Sequence, residues 1–325
     1  MDTLAFDYAI PAIRACSGLP PVRQCSCRAY INEGYTYVVD LDLERFFDTV
    51  SHSKLIEILS RTIKDGRVVS LVHKYLRSGV MNKGLFEASE EGTPQGGPLS
   101  PLLSNIMLNE LDKELERRGL PFVRYADDSM IFCKSKRAAM RVKESITRFI
   151  ENVLYLKVNK EKTVVSYVRG VKYLGYSFYV MKGKCQLTVH PKSKDKMKSK
   201  LKELTSRSNG WGYAKRKQKL KEYIRGWVGY YHLANMKRLL LVTDEWLRRR
   251  IRMCIWKAWK KAKTKVANLI ICGINKYQAY EWGNTRKGYW RIADSPILKR
   301  AIDNNKLRSA GYATLIGSYL EWHPK

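Results

Sequence analysis

Residues 123–132 read Val-Arg-Tyr-Ala-Asp-Asp-Ser-Met-Ile-Phe. Two apolar, strand-like runs flank the adjacent acids Asp127 and Asp128, a pattern that predicts a β-hairpin turning at the acids. One reading of the pair is turn chemistry, because aspartate bonds its own local backbone and tolerates turn dihedrals. The other is a metal site, which needs a third carboxylate brought close by the fold.

A candidate lies upstream. YTYVVDLDL (35–43) reads as a strand, and residues two apart on a strand share a face, so Asp40 and Asp42 point the same way. A carboxylate on a mostly buried strand is costly unless it is paired or binds a metal. If this strand lies beside the hairpin, one of its aspartates meets Asp127 and Asp128. Three convergent carboxylates can hold two Mg²⁺ ions whose other ligands are water and phosphate oxygens. Such a pair serves phosphoryl transfer, one ion activating a 3′-oxygen and the other stabilising pyrophosphate as it leaves.

Around these acids the pattern mixes helices and strands. SHSKLIEILSRTI (51–63) predicts a helix capped by Ser51 or Ser53. RVVSLVHKYLRSG (67–79), PLLSNIMLNELDKELERRG (101–119) and SKRAAMRVKESITRFIENVL (135–154) predict three more, with Gly79 and Gly119 as stops. KTVVSYV (162–168) and VKYLGYSFYV (171–180) predict strands. Helices interspersed with antiparallel hairpins argue for an α+β fold rather than a doubly wound sheet. Past residue 190 the chain reads as helical, with Met197, Leu201 and Leu204 striping a lysine-coated helix and further helices at 222–233 and 244–263.

The charge is large and uneven. The 325 residues carry a net +31, which favours a polyanionic partner. Residues 192–265 hold 24 Lys/Arg against 5 Asp/Glu, and all eight tryptophans fall at Trp211 or later. Basic helices interleaved with aromatics suit RNA, since cations neutralise phosphates and rings stack on unpaired bases. Core packing is the competing reading of each tryptophan. The change of character places a domain boundary near 185–195. No run of 18 apolar residues predicts a membrane span, and the N-terminus lacks the pattern of a secretory signal. Seven scattered cysteines without a C-x-x-C pair argue against a disulfide framework or a zinc site and for a reducing cytoplasm.

Read together, these stretches resemble the reverse transcriptases. VDLDLERFFD (39–48) is similar to their motif A, in which the catalytic aspartate stands five positions before an aromatic residue. Phe47 as that aromatic makes Asp42 the catalytic residue and leaves Asp40 a bystander. YADD (125–128) resembles motif C, EGTPQGGPLSPLLSN (91–105) motif B, LKVNKEKT (156–163) motif D and VKYLGYSF (171–178) the primer grip. The resemblance implies Asp42, Asp127 and Asp128 as catalytic aspartates that hold two Mg²⁺, with Leu43 a further metal and nucleotide contact. It implies Lys162 beside the triphosphate, Gln95 and Gly96 at the nucleotide, and Tyr173, Leu174 and Gly175 gripping the primer. Phe47 becomes the steric gate against a ribose 2′-hydroxyl, with an ordinary core aromatic as the alternative.

The second half sharpens the family. RGWVGYYHL (225–233), DEWLRRRIRMCIWKAWK (244–260) and GINKYQAYEWGNTRKGYWRIADSPIL (273–298) are similar to the maturase, or thumb, domain of group II intron-encoded proteins. The implied architecture is a right-hand polymerase palm with remnant fingers (31–185) and a helical thumb/maturase domain (186–325). Residues 1–30 form a divergent segment of poor periodicity, and the chain reads as shortened at its N-terminus. No paired C-x-x-C motifs of an H-N-H nuclease follow residue 300. The implied function is RNA-directed DNA polymerisation with maturase activity. Its partners are group II intron RNA, an RNA template with a DNA primer, target DNA and dNTPs, with no membrane. Arg248, Arg249, Arg250 and Lys257 are the expected RNA contacts. The alternative is a catalytically impaired RNA-binding splicing factor that keeps the maturase surface and no longer polymerises.

Overall fold

The structure, a computed structural model, describes residues 20–82, 85–87, 91–93 and 97–324. The chain divides into two compact units, one of residues 1–173 with 177–186, the other of residues 174–176 with 187–325.

The first unit opens with a helix, α1 (Pro20–Asn32), where the sequence reading found no periodic element. Proline suits the first turn of a helix, where its missing N–H is not needed. Cys27 and Ile31, four apart, are both buried, and so short a stripe is hard to see in sequence. Then follow β1 (Tyr37–Leu41), α2 (Phe46–Thr49), α3 (His52–Thr62), α4 (Gly66–Arg77) and a small hairpin, β2 (Val80–Asn82) and β3 (Leu85–Glu87). After α5 (Ser100–Arg117) come β4 (Phe122–Tyr125), β5 (Asp128–Cys133), α6 (Lys136–Asn152) and β6 (Val164–Tyr167). Hydroxyl and carboxylate caps fix three helix starts: Ser51 accepts from Lys54 N–H, Asp65 from Arg67 and Ser135 from Ala138.

The central sheet runs β4-β5-β1-β6, with every neighbour antiparallel. The register sets Asp40 opposite Met130 and Leu41 opposite Ser129. Strand alternation then sends Val39 and Leu41 to one face, where they join Ile131, Leu55 and Leu59 of α3, Met107 and Leu111 of α5, and Ile146 and Ile150 of α6 in one buried core. Asp40 and Asp42 take the other face, along with Val38 and Phe132. Tyr30 of α1 packs there, 5.4 Å from the Phe132 ring.

A hairpin, β7 (Tyr176–Met181) and β8 (Lys184–Val189), straddles the division between the units. The second unit continues through α7 (Pro191–Leu204), α8 (Tyr213–Tyr231), α9 (Lys237–Ala258), α10 (Ala262–Ile271) and α11 (Lys276–Gly283). It ends with α12 (Tyr289–Ile292), α13 (Pro296–Ala301), α14 (Asn304–Ser309) and α15 (Leu315–Glu321). Met197, Leu201 and Leu204 are buried, as their stripe predicts. Helices α8 and α9 start earlier than their sequence patterns suggest, because burial of Arg216, Leu220 and Leu240 recruits the preceding turns. Asp244, buried on α9, accepts N–H bonds from Leu315 (2.8 Å) and Ile316 (2.9 Å) and so pins the start of α15. Trp256 is buried, Trp290 and Trp322 are exposed, and the other five tryptophans are half-buried. Among the described residues no helix is long and apolar enough to cross a membrane.

Candidate active site

The acidic turn is built from the tight β4–β5 hairpin. Tyr125 pairs with Asp128, leaving Ala126 and Asp127 as the two turn residues. Ala126 has φ +54°, the left-handed region that glycine adopts freely and alanine does not. Arg124, the residue before Tyr125, is buried and donates through Nη1 to the Ala126 carbonyl at 3.0 Å.

Four carboxylates share the open end of the sheet. Burial, then the charges of Asp128 and Asp42, pushes the Asp40 carboxyl up to about 6. Asp128 is raised by partial burial, then by Asp127 and Asp42, against the opposing charge of Lys172. Asp40 thus shares its electrostatics with Asp42 and Asp128, a coupling that the motif A resemblance does not show. Carboxylates whose charges raise one another's proton affinity repel when ionised, and a bound cation would relieve that repulsion. Among the described residues, no three His, Cys, Asp or Glu side chains are already gathered as a ligand set. Asp42 instead meets Lys162, whose Nζ lies 3.6 Å from Oδ2.

The main chain of Asp42 is held by the loop before β6. Thr163, fully buried, accepts from Asp42 N–H at 3.2 Å and donates to the Asp42 carbonyl at 3.3 Å. Asn159 N–H donates to the same carbonyl at 2.9 Å, and Asn159 Oδ1 accepts from Lys162 N–H at 3.1 Å. Lys143 of α6 donates to the Thr163 carbonyl at 2.6 Å. Leu43 has a buried side chain and bridges Val158. That bridge closes through the Asp42 carbonyl and the Glu44 N–H, bypassing Leu43's own carbonyl.

Phe47 is half-buried, 5.4 Å from the Phe46 ring, and packs against the core. Its carbonyl accepts from Thr93 N–H at 2.6 Å, and Gly92 N–H donates to Val50 at 2.8 Å. His52 Nε2 donates to the Gly92 carbonyl at 2.6 Å. A Cβ on Gly92 would stand 2.8 Å from the Phe47 oxygen, so only glycine allows this approach. Gln95 and Gly96 lie outside the described residues.

Comparison with known proteins places the chain in a family. A family model described as reverse transcriptase (RNA-dependent DNA polymerase) matches residues 5–178. The chain belongs to the reverse transcriptase family. The match starts well before residue 31, so the family likeness reaches further toward the N-terminus than the motifs do. A second model, the group II intron maturase-specific domain, matches residues 194–270. Protein YkfC of Escherichia coli is 34% identical over 43% of this chain and 46% of its own length. The group II intron-encoded protein LtrA of Lactococcus lactis is 28% identical over 45% of this chain and 35% of its own. The chain thus spans less than half of either relative. Among solved structures, apo telomerase from Candida Tropicalis covers 95% of this chain and 59% of its own at 13% identity, with a TM-score of 0.47.

The turn expected to grip a primer falls at the division between the units. Tyr173 is buried in the first unit, whereas Leu174 and Gly175 belong to the second. Leu174 (φ +48°) and Gly175 (φ +83°) turn tightly. The Leu174 carbonyl accepts from Tyr230 Oη at 3.0 Å, and the Gly175 carbonyl from His190 N–H (3.0 Å) and Ser193 Oγ (3.1 Å). A Cβ at Gly175 would stand 2.3 Å from Tyr231 Oη.

The four cations expected at RNA are partly engaged within the second unit. Arg250 donates to Thr205 Oγ1 (2.6 Å) and to the carbonyls of Lys202 and Thr205. Arg249 stacks 3.9 Å from the Trp290 ring, bonds the Trp290 carbonyl and pairs with Asp294 at 3.3 Å. Lys257 donates to the Arg207 carbonyl at 2.6 Å, and Arg248 is half-buried. Sequence reasoning missed Arg124, Thr163 and Lys172. A lone arginine inside an apolar strand was the readable signal for the first.

Proposed function

We propose that this chain is an RNA-directed DNA polymerase with a maturase surface, adding dNTPs to a primer 3′-hydroxyl on an RNA template and assisting the splicing of group II intron RNA. The observation that supports the reading is the pairing of β1 with β5, beside which the charges of Asp42 and Asp128 act on Asp40, those of Asp127 and Asp42 act on Asp128, and Lys162 and Lys172 oppose them. Asp42, Asp127, Asp128 and the Leu43 carbonyl are the groups that would hold two Mg²⁺. When bound, these ions supply activation of the attacking hydroxyl and neutralisation of the phosphates. Lys162, exposed and paired with Asp42, places a positive charge or a proton at the departing pyrophosphate. Phe47, its carbonyl bonded by Thr93 N–H, presents its ring as the gate against a 2′-hydroxyl, and Gln95 and Gly96 take the nucleotide. Tyr173, Leu174 and Gly175 seat the primer end. In the second unit, Arg248 and the exposed lysines contact intron RNA, together with what remains free of Arg249, Arg250 and Lys257. Target DNA is a further partner, and a bacterial cytoplasm the setting.

Primer extension by the purified chain on an RNA template with Mg²⁺ and dNTPs, beside Asp127→Ala, tests this. Extension lost only in the variant supports the reading. No extension by the native chain, with intron RNA still bound tightly, leaves the splicing-factor reading. That second reading is favoured by the excess of 24 Lys/Arg over 5 Asp/Glu in residues 192–265, which overlies the maturase match.

A further inference from the structure

The buried pair beneath the acidic turn has no part in the chemistry above. Arg124 and Asp112 are 2% and 4% exposed. Arg124 Nε donates to Asp112 Oδ1 at 2.8 Å, and its Nη2 closes a second bond to Oδ2, giving the two-pronged fork that fixes a guanidinium plane. Its remaining terminal nitrogen is shared between Asn105 Oδ1 (3.2 Å) and the Ala126 carbonyl (3.0 Å). Asp112 and Asn105 both stand on α5, so the helix grips the guanidinium and the guanidinium grips the turn.

A buried ion pair is a poor device for stability. Well-packed apolar residues in its place are often neutral or stabilising, whereas removing one partner alone strands a charge. The pair's expense is repaid only by something that apolar packing cannot do. Here that something is directional. Ala126 sits at a positive φ that alanine disfavours, and Asp127 and Asp128 follow it immediately. A backbone strained at a functional site persists only when its surroundings enforce it.

The geometry points to Arg124 as a positioning residue: held by Asp112 and Asn105, it pins the Ala126 carbonyl and so aims Asp127 and Asp128 toward Asp42. The inference rests on the polymerase reading for its consequence, though not for its geometry. Asp112 and Asn105 both stand on α5, so the turn's aim is referred to that helix rather than to the hairpin alone.

The test is the full chain carrying Arg124→Met together with Asp112→Leu, which removes both charges and keeps the volume apolar. The expected result is a melting temperature no lower than native, with Mn²⁺ affinity and kcat each reduced about ten-fold and primer-template KM unchanged, the scale for groups that orient metal-binding residues. Mn²⁺ binding is read from the free-ion electron paramagnetic resonance signal without nucleotide. Adding Ala126→Gly, which adopts the turn without strain, is expected to restore most of both losses. A well-folded double variant that binds Mn²⁺ and extends primer like the native chain overturns the inference, as does failure of Ala126→Gly to restore either. A native chain that binds no Mn²⁺ and extends no primer defeats the polymerase reading instead. In that case hydrogen exchange of the 123–130 peptide decides: faster exchange in the double variant upholds the clamp, and unchanged exchange ends it.

Discussion

The hydroxyl of Thr163 faces both main-chain groups of Asp42, 3.2 Å from its N–H and 3.3 Å from its carbonyl oxygen. The residue next to Thr163 is Lys162, whose ammonium meets the Asp42 carboxylate. Thr163→Val keeps the shape and deletes the hydroxyl, leaving Asp42 N–H without that partner. A loss of about 1–2 kcal/mol is expected in denaturant unfolding. Single-nucleotide incorporation should fall further than stability does, and Thr163→Ser should recover both.

Asp42→Ala and Asp127→Ala should each abolish nucleotide addition while leaving RNA affinity close to native. Filter binding beside primer extension checks this. An equal loss of RNA binding would contradict the roles given to the two aspartates.

The Asp40 carboxyl, pushed up to about 6, makes the metal-free fold pH-sensitive. Its folded value lies above its unfolded one, so the folded state holds the proton more firmly between about pH 4 and 6. Stability from this group is present below that window and is lost as pH rises through it, by at most about 2 kcal/mol once partial exposure is allowed for. Asp40→Asn should therefore stabilise the chelator-treated protein at pH 7.5 and flatten the slope. Melting curves from pH 4.5 to 8 read both effects.

Asp244→Ala should cost about 2–3 kcal/mol, because two buried N–H groups at the start of α15 lose a charged acceptor. Limited proteolysis should then cut near residues 310–316, where the native chain resists.

RNA affinity should depend steeply on salt, since each neutralised phosphate releases counterions. Lys192→Glu with Lys196→Glu, both exposed on α7, should weaken binding and reduce the slope of log affinity against log salt by about one to two. Arg250→Glu should instead unfold the local structure, because its donors hold the carbonyls of Lys202 and Thr205. Circular dichroism separates the two outcomes.

What the sequence disclosed was periodic or local. The strand–turn–strand pattern around Asp127 and the alternation that pairs Asp40 with Asp42 are visible residue by residue, and the sheet register follows them. The Ser51 cap, offered beside Ser53, was readable for the same reason. The long-range partners were not. Nothing near Arg124 announces that Asp112, 12 residues earlier, will meet it in the core. Nothing in YTYVVDLDL says that Thr163, 121 residues on from Asp42, will hold its backbone. The motif A resemblance could not show the shared electrostatics of Asp40 and Asp128, which exist only once β1 and β5 are adjacent. Arg250 looked like a surface cation because sequence records its charge and not the carbonyls it faces.

The hairpin β7–β8 carries one last consequence, for anyone who would take the protein apart. The chain leaves its first unit after Tyr173, comes back at Ser177 and departs again at Leu187. Neither unit is thus a single uninterrupted stretch of sequence, and no one cut yields both whole. A gene fusion or recombination event that exchanges the first unit between relatives must carry its junction to one side of the entire 174–189 segment, or it will inherit half a hairpin.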